Sequence, residues 1–524
     1  MFTKKPYLAT LVSNELKYRA SAFCLKSSDF RMEQYFSKYR KGIIGHDSLI
    51  STPLHDTIPL VYADWTASGR LYLPIEERIR ENLMPFVANT HTETNYTGSM
   101  MTFAYHQAQN IIKSHVGANK DDMLISSDSG MTGVVNKFQR ILGLRIHESF
   151  KKSIQIKDVD RPVVFITHME HHSNQTSWLE TIADVIVIPP DEDGLVSLEN
   201  FREKIEEYDQ RKLKIAAVTS CSNVTGIMNP YLQIAELIHQ YNGLCFVDFA
   251  CSAPYVNINM HPDSSKNRYL DAIYFSPHKF LGGPGTTGIL IFNKRLYSNA
   301  VPDNPGGGTV DWTNPWGEHK YLESIEARED GGTPAFLQTI KAAMCMQLKD
   351  EMGVDNIHKR EKEILDLIWP KLESIPNLHL LAADHKDRLG VISFYIDDLH
   401  YNLGVKMLND RYGIQTRGGC SCAGTYGHYL LHVTQENSKS ITDKINFGDY
   451  SSKPGWIRLS IHPTHTNSEI NFVLSALKDL AENHEEWSKD YEFDKTAGSI
   501  THSNKKSSLE LKTRLSNFFD ESFA

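Results

Sequence analysis

The residues with the clearest chemical potential in this chain lie between two apolar stretches, in the segment Ser276-Pro-His278-Lys279. The flanking stretches, 270–275 and 287–292, are apolar enough to be strands, and a glycine-rich turn follows the lysine. Apolar flanks desolvate the lysine amine and favour its neutral form. A neutral amine condenses with an aldehyde to give a Schiff base, whereas a lysine that only snorkels from a strand end does not. The motif alone barely separates these two interpretations.

Three upstream segments supply the other parts of a pyridoxal phosphate site. Asp248 ends the apolar run 243–248, where a carboxylate can keep a pyridine nitrogen protonated. The glycine-rich residues 130–133 begin a helical pattern and present backbone N–H groups to a phosphate. His171 follows the apolar run 161–167 and could lie flat on a heteroaromatic ring. Each feature alone could be a helix cap or an ordinary buried histidine, but their shared place at strand ends predicts a cofactor site.

These ordered motifs resemble those of fold-type I pyridoxal phosphate enzymes of the class V aminotransferase group, specifically the cysteine desulfurase and selenocysteine lyase branch. The resemblance runs from about Val61 to about Leu480, which is most of the chain. It implies an α/β fold with a mostly parallel sheet between helices, a smaller α+β domain, and pyridoxal 5'-phosphate as cofactor. The cofactor-binding residues that it implies are Gly130, Met131, Thr132, His171, Asn223, Asp248, Ser276, His278, Lys279 and Thr333.

The resemblance also implies individual roles. Lys279 forms the Schiff base, with Ser276 and His278 on the phosphate. His171, in Glu-His-His-Ser, stacks on the ring, and Asn223, in Ser-Asn-Val-Thr-Gly, neighbours the ring oxygen.

Thr333 lies in Gly-Gly-Thr-Pro, which is similar to a turn that reaches the phosphate of the neighbouring subunit. That match implies a homodimer with shared active sites. For Thr333 alone, a helix N-cap is an equally good interpretation.

Two cysteines decide which chemistry is plausible. Arg417-Gly-Gly-Cys420-Ser-Cys422-Ala is similar to the family motif whose cysteine attacks the substrate sulfur and leaves as a persulfide. Cys422 matches by its distance from Arg417, and Cys420 is a candidate because molybdenum cofactor sulfurases carry a similar pair. A Cys-x-Cys pair can also be half of a metal site. That interpretation is excluded here because no second cysteine or histidine pair with zinc-ligand spacing follows. Thiols that merely pack at a helix start remain an alternative.

The segment around Arg458 resembles the family motif whose arginine clamps the substrate carboxylate, with Arg417 as a possible helper. The predicted function is therefore removal of sulfur or selenium from an amino acid through a cysteine persulfide, with a sulfur-acceptor protein as a possible partner. The alternative is a class V aminotransferase, epimerase or carbon–carbon lyase without a catalytic cysteine.

The sequence differs from the family pattern at two places. The first is Cys251, which stands where desulfurases usually have a glutamine that hydrogen-bonds the phenolic oxygen of the cofactor. A second is the loop 424–431 after the cysteines, which differs from that of ordinary lyases.

The bulk properties fit an enzyme and exclude some other classes. A net charge of −9 over 524 residues gives no sign of nucleic-acid binding. The longest apolar runs have strand length, so no membrane span is expected, and the N-terminus lacks the apolar core of a signal peptide. Seven scattered cysteines indicate reduced thiols and predict a cytoplasmic location.

The order of strand-like and helix-like patterns along the chain predicts the domain organisation. Strands that alternate with helices indicate a large cofactor-binding domain over 56–345, and a smaller C-terminal domain follows over 346–486. Residues 1–55 are expected to form an N-terminal extension with one helical segment. Residues 487–524 are charged and rich in Ser, Lys and Asn, and are expected to be a mobile extension.

Overall fold

The computed structural model describes residues 31–90, 92–127, 130–151, 153–496 and 498–522. Within these residues, no helix is long and apolar enough to cross a membrane.

The central feature of the described chain is a seven-stranded sheet. In spatial order its strands are Asp122–Ser127, Gly288–Asn293, Ala272–Phe275, Leu244–Asp248, Lys214–Thr219, Val163–Thr167 and Asp184–Ile188. Gly288–Asn293 runs antiparallel to both neighbours, and the remaining pairs are parallel. The inner strands are apolar and buried, as expected when helices cover both faces of a parallel sheet. This arrangement confirms the predicted fold class.

Helices cover the two faces of the central sheet. On one face, Phe138 and Trp178 pack against Phe246 of the sheet. These two side chains belong to the helices Gly130–Ile141 and His172–Leu179. The opposite face is covered by Tyr96–His115, Leu198–Glu207, Tyr231–Gln240 and Phe336–Met352.

A second, smaller antiparallel sheet has the strand order Leu378–Leu380, Val391–Ile396, Trp456–Ser460, Arg417–Gly419. The helices Val354–Glu373, Tyr401–Tyr412 and Asn467–Trp487 contribute to its core. The strand Val61–Tyr62 pairs with Ile414–Gln415 near this sheet, and Asp64 bridges to Ser460. The strand Val61–Tyr62 of the predicted large domain therefore lies against the smaller sheet.

Shorter elements connect and flank these two layers. The remaining α-helices are Arg31–Lys41, Leu73–Asn82, Glu148–Lys151, Ile325–Glu329, Gly424–Leu430, Gln435–Asn446 and Lys506–Asp520. The 3-10 helices are Met84–Phe86, Asp158–Asp160, Ser264–Lys266, Pro277–Lys279, Lys294–Leu296 and Ser488–Asp490. The paired short strands are Leu49–Ile50 with Ile58–Pro59, Val310–Thr313 with His319–Tyr321, and Tyr491–Asp494 with Ser499–His502.

The predicted domain boundaries remain predictions. The first 30 residues of the N-terminal extension lie outside the described residues, and the helical segment expected after them is Arg31–Lys41. The helix Phe336–Met352 continues across the proposed boundary at 345. In the C-terminal extension, His502 is buried and Asn504 donates a hydrogen bond to the Pro53 carbonyl at 2.8 Å.

Candidate active site

The predicted site residues meet in one cavity of about 530 Å³. It lies where the carboxyl ends of the central strands face the smaller sheet and residues 420–423, which are called the cysteine loop below. The predicted residues that line it are Gly130, Met131, Thr132, His171, Asn223, Asp248, Ser276, His278, Lys279, Arg417, Cys420, Cys422 and Arg458. Thr333 does not line it and is exposed.

Lys279 occupies the base of this cavity. It ends a short 3-10 helix directly after the buried strand Ala272–Phe275, so the strand fixes where its side chain begins. Burial lowers the pKa of its amine, and the charge of Arg458 lowers it further, although Cys251 and Asp248 oppose this effect. The net shift is toward the neutral amine, the form in which a lysine reacts with a carbonyl.

A polar turn beside Lys279 forms the predicted phosphate cradle. The Met131 backbone N–H donates to Ser276 Oγ at 2.8 Å, and the Thr132 and Ser173 hydroxyls lie 2.6 Å apart. Gly130 has a φ of 60°, which a glycine adopts without strain. Asp128 and Ser129 of the same turn lie outside the described residues. The turn opens the helix Gly130–Ile141, whose N-terminus favours an anion.

Close backbone packing holds this turn in place. A Cβ at Gly288 would lie 2.2 Å from the Gly130 carbonyl oxygen, so only glycine allows the strand to approach the turn. We expect Gly288→Ala to displace the turn, to cost about 1–3 kcal/mol of stability as overpacking does, and to weaken pyridoxal phosphate retention. Urea unfolding and cofactor titration measure the two effects. The control is Gly306→Ala, where a Cβ meets nothing within 4 Å; equal effects of the two substitutions would contradict the role assigned to this contact.

Asp248 lies at the end of the central strand Leu244–Asp248 and is 3% exposed. Burial raises the pKa of its carboxyl to about 6, although the Ala250 backbone N–H and the charge of Lys279 oppose this shift. Ala250 N–H donates to Oδ1 at 2.7 Å. A cationic ring nitrogen at the other oxygen would restore the charged form.

His171 caps the helix His172–Leu179 and lines the cavity near Lys279. Its Nδ1 accepts the Ser173 backbone N–H at 3.1 Å. Burial, together with the positive charge of Lys279, lowers its pKa to about 3. The ring is therefore neutral, which suits stacking on an aromatic cofactor. Just before it, the buried Glu170 accepts hydrogen bonds from Thr219 N–H at 2.9 Å and Asn174 Nδ2 at 2.7 Å, which ties this loop to the sheet.

Two arginines face the cavity from the smaller sheet, and they share the carboxylate of Asp64, which is not among the predicted site residues. Arg458 Nη2 donates to Asp64 Oδ1 at 2.9 Å, and Arg417 Nε donates to Asp64 Oδ2 at 3.0 Å. Arg458 Nη1 also donates to the Asn223 carbonyl at 3.1 Å. Asp64 thus orients both guanidinium groups, while one negative charge faces two positive ones. The arrangement retains a net positive charge for a substrate carboxylate.

The cysteine loop closes the cavity from the side of the smaller sheet. Cys420 is half-buried and Cys422 is exposed. Cys422 has a φ of 56°, an uncommon conformation for a residue with a side chain. Its carbonyl accepts the His172 backbone N–H at 2.7 Å, and the Ser421 carbonyl accepts Asn223 Nδ2 at 2.7 Å. These bonds anchor the loop to the large domain and hold both thiols on the cavity wall.

Cys251, which replaces the glutamine usual in desulfurases, places a further thiol in the cavity. Cys251 and Cys221 are both buried there, and each sulfur lies near the Ser222 carbonyl, at 3.7 and 3.6 Å respectively. A thiol is a weaker hydrogen-bond donor than the side-chain amide of that glutamine. All cysteines in the described ranges are free thiols, and no group of three or more His, Cys, Asp or Glu in those ranges could hold a metal ion.

The geometry fits the pyridoxal phosphate that the resemblance implies. Asn223 Oδ1 and Arg458 Nε are buried polar atoms without a hydrogen-bond partner in the described chain, and both residues line the cavity. A bound polar group would satisfy atoms of this kind. The amine, the neutral imidazole, the buried carboxylate and the helix N-terminus surround the same space. The residues present therefore match the ring, the aldehyde and the phosphate of this cofactor.

Comparisons with known proteins identify similar sequences and structures. Among sequence relatives, a probable cysteine desulfurase of Halalkalibacterium halodurans is 27% identical over 369 residues, which is 70% of this chain and 84% of the relative. A probable cysteine desulfurase of Staphylococcus aureus strain Mu50 is 27% identical over 427 residues, 81% of this chain and 92% of the relative.

Solved structures show the same fold. An apo cysteine desulfurase from Thermococcus onnurineus NA1 superposes with a TM-score of 0.66 at 21% identity, covering 85% of this chain and 98% of that one. The cysteine desulfurase CsdA (S-sulfonic acid) from Escherichia coli gives a TM-score of 0.65 at 19% identity, with the same two coverages of 85% and 98%. The sequence model of the aminotransferase class-V family matches residues 61–473. Because this match spans well over half of its length, the chain belongs to the aminotransferase class-V family.

Proposed function

We propose that this protein is a pyridoxal phosphate-dependent lyase that removes sulfur, or selenium, from a cysteine-like amino acid through a persulfide on Cys422. The observation that supports this proposal best is the shared cavity. Two thiols on an anchored loop line the same space as a desolvated lysine, a buried aspartate and a pair of arginines. The names of the relatives described above support the same chemistry.

The protein's own residues divide the work of such a reaction. Arg458 and Arg417 bind and orient the substrate carboxylate, with Asp64 holding the two guanidinium groups in place. Lys279, once its amine is released, accepts and returns the proton at the α-carbon. When bound, pyridoxal phosphate supplies the electron sink for negative charge at the substrate carbons.

Cys422 carries the sulfur-transfer step. Its thiolate forms a bond to the substrate sulfur, and the carbon–sulfur bond breaks. The electron pair of that bond stays with the substrate carbon, which then takes up a proton. The sulfur, with its hydrogen, remains on Cys422 as a persulfide, and the amino acid leaves without it. From cysteine, the product is alanine.

Three further parts belong to the proposal. The persulfide is handed to a sulfur-acceptor protein, for which the exposed Cys422 is accessible. The active unit is a homodimer in which Thr333, exposed and outside its own cavity, completes the phosphate site of the neighbouring subunit. The location is cytoplasmic, as the cysteine content predicts.

The test compares Cys422→Ala with Cys420→Ala. Removing the attacking thiol should lower alanine and sulfide release from cysteine by roughly two orders of magnitude, as loss of a positioned reacting group does. The cofactor spectrum and its change on adding cysteine should persist, because the lysine, aspartate and arginines are untouched. Cys420→Ala is the matched control and should do less.

Two outcomes would change the assignment. If Cys420→Ala has the larger effect, the order of the two thiols follows the molybdenum cofactor sulfurase pattern. If both single variants and the double variant keep the wild-type rate on whichever amino acid proves active, sulfur transfer through this loop is excluded. The protein would then be an aminotransferase, epimerase or carbon–carbon lyase of the same family.

A further inference from the structure

His172 contacts the cysteine loop from outside the active-site cavity. The described residues that line the cavity include His171 but not His172, and the centres of these two neighbouring imidazole rings are 6.3 Å apart. The half-buried His172 lines a separate groove of about 550 Å³ between the helices His172–Leu179 and Gly424–Leu430. The two histidines of the Glu-His-His-Ser motif therefore face different parts of the structure.

Two hydrogen bonds join His172 to the chain on either side of Ala423. The His172 backbone N–H donates to the Cys422 carbonyl at 2.7 Å, and the Gly424 backbone N–H donates to His172 Nε2 at 3.1 Å. One residue thus bonds both the residue proposed to carry the persulfide and the first residue of the helix that follows the loop. Only the second of these bonds depends on the imidazole ring.

The environment of the His172 ring favours the form that can accept this bond. An imidazole accepts a hydrogen bond only when it is neutral, because the protonated ring carries a hydrogen on both nitrogens. Burial lowers the pKa of His172, and the charge of Lys453 lowers it further, so the neutral ring is favoured. The contact is also close, since a Cβ at Gly424 would lie 3.2 Å from Nε2.

The backbone of the cysteine loop requires restraint at both ends. Ser421 and Cys422 have φ values of 50° and 56°, in the left-handed region that residues with side chains rarely adopt. Asn223 Nδ2 holds the first end by donating to the Ser421 carbonyl at 2.7 Å. The His172 ring holds the second end at Gly424. Without the ring, the segment after Cys422 is freer to relax toward ordinary backbone angles, and the thiol moves with it.

We propose that the imidazole of His172 is a positioning group for sulfur transfer, because its bond to the Gly424 N–H holds Cys422 in the conformation in which it lines the cavity. The inference rests on the proposed function for the chemistry of the Cys422 thiol, whereas the restraint on the loop does not require turnover. Since His172 lies outside the cavity, it acts on the reaction through the loop and not by contact with the substrate.

The test compares three substitutions that differ in the acceptor they offer at the position of Nε2. Glutamine can place its amide oxygen there, methionine has similar size but only a weakly accepting sulfur, and asparagine is polar but one carbon too short. We expect His172→Met and His172→Asn to lower kcat for sulfide release from cysteine about tenfold, as loss of one hydrogen bond does. His172→Gln should stay within about twofold of the wild type.

Two further measurements separate positioning of the loop from a general loss of structure. The cysteine concentration that half-saturates the change in visible absorbance should be the same in all four proteins, because Lys279, Arg417 and Arg458 are untouched. Amide hydrogen exchange of the cofactor-loaded proteins without substrate reports local opening of the loop. Peptides that cover residues 420–430 should exchange faster in the methionine and asparagine variants than in the wild type and the glutamine variant.

His147→Met is the matched control, because His147 Nδ1 accepts the Ser149 backbone N–H at 3.2 Å at the start of another helix, Glu148–Lys151. It should change neither kcat nor the exchange of residues 420–430. The proposal is overturned if methionine and asparagine keep the wild-type kcat, or if glutamine lowers kcat as much as they do. Unchanged exchange of the loop, or a loss of cysteine affinity equal to the loss of kcat, would overturn it as well. Failure of the proposed function would appear separately, as an absence of sulfide release from the wild-type protein, and the exchange comparison would still decide whether the His172 ring holds the loop.

Discussion

Lys279→Ala should lower turnover of every amino acid that the protein accepts by at least about 10⁴-fold, because the proposed function makes Lys279 both the covalent anchor of the cofactor and the proton-transferring base. The variant should still bind pyridoxal phosphate without a covalent bond, since the turn at Met131, the imidazole of His171 and the Asp248 carboxylate remain. Borohydride treatment followed by peptide mass spectrometry should fix the cofactor on Lys279 in the wild-type protein and on no residue in the variant.

The matched control is Lys294→Ala, which removes an exposed lysine just after another strand of the same sheet. It should retain the visible absorbance and the rate of the wild type. A colourless wild-type protein that takes up no added pyridoxal phosphate, or a label on a different lysine, would refute the site. So would a Lys279→Ala variant with measurable turnover.

Asp248→Asn should reduce turnover by about 10²–10⁴-fold, since breaking a buried charge pair costs about 3–5 kcal/mol and each 1.36 kcal/mol is about tenfold in rate. In the proposed function, the partner in that pair would be the protonated ring nitrogen of pyridoxal phosphate. The amide keeps an oxygen for the Ala250 N–H but carries no charge. Steady-state kinetics with saturating pyridoxal phosphate measures the loss, and a cofactor titration shows whether affinity falls with it.

The same substitution has a second effect in the cofactor-free protein, of opposite sign. Burial raises the Asp248 pKa from 3.8 to about 6, so the folded state holds this proton more tightly than the unfolded state does. The ionised carboxyl therefore destabilises the fold fully above the folded pKa, and the penalty disappears below the unfolded pKa. Asp248→Asn should stabilise the apoprotein by about 2–3 kcal/mol near pH 8 and by almost nothing near pH 4.

Urea unfolding of wild-type and Asp248→Asn apoproteins at the two pH values tests this expectation. A stability difference that is equal at both would show that the carboxyl is not titrating in the buried position. Wild-type turnover in the variant would instead remove Asp248 from the catalytic site. The two measurements fail independently, which separates the electrostatics of the carboxyl from its role toward the cofactor.

The central sheet could be predicted because its strands are local patterns. The apolar run at 161–167 contains the strand Val163–Thr167, and the run at 243–248 contains the strand Leu244–Asp248. The residues from about 334 to 371 have a pattern that predicts one long helical stretch. The structure has two helices there, Phe336–Met352 and Val354–Glu373, because Gly353 between them adopts a φ of 76°. A periodic pattern shows that residues favour a helix, but it does not show where a glycine turns the axis.

The sequence by itself determined the chemical groups around Lys279, because each ends or follows an apolar strand and parallel strands end at one edge of a sheet. Only the tertiary structure decided how the smaller sheet meets that edge. It pairs Asp64 with Arg417 and Arg458, which are 353 and 394 positions away. Charged partners carry no local periodicity, and their distance in space depends on how the whole chain closes. Patterns along the chain therefore found the residues proposed to bind the cofactor, and only the folded structure located the carboxylate that orients the two arginines.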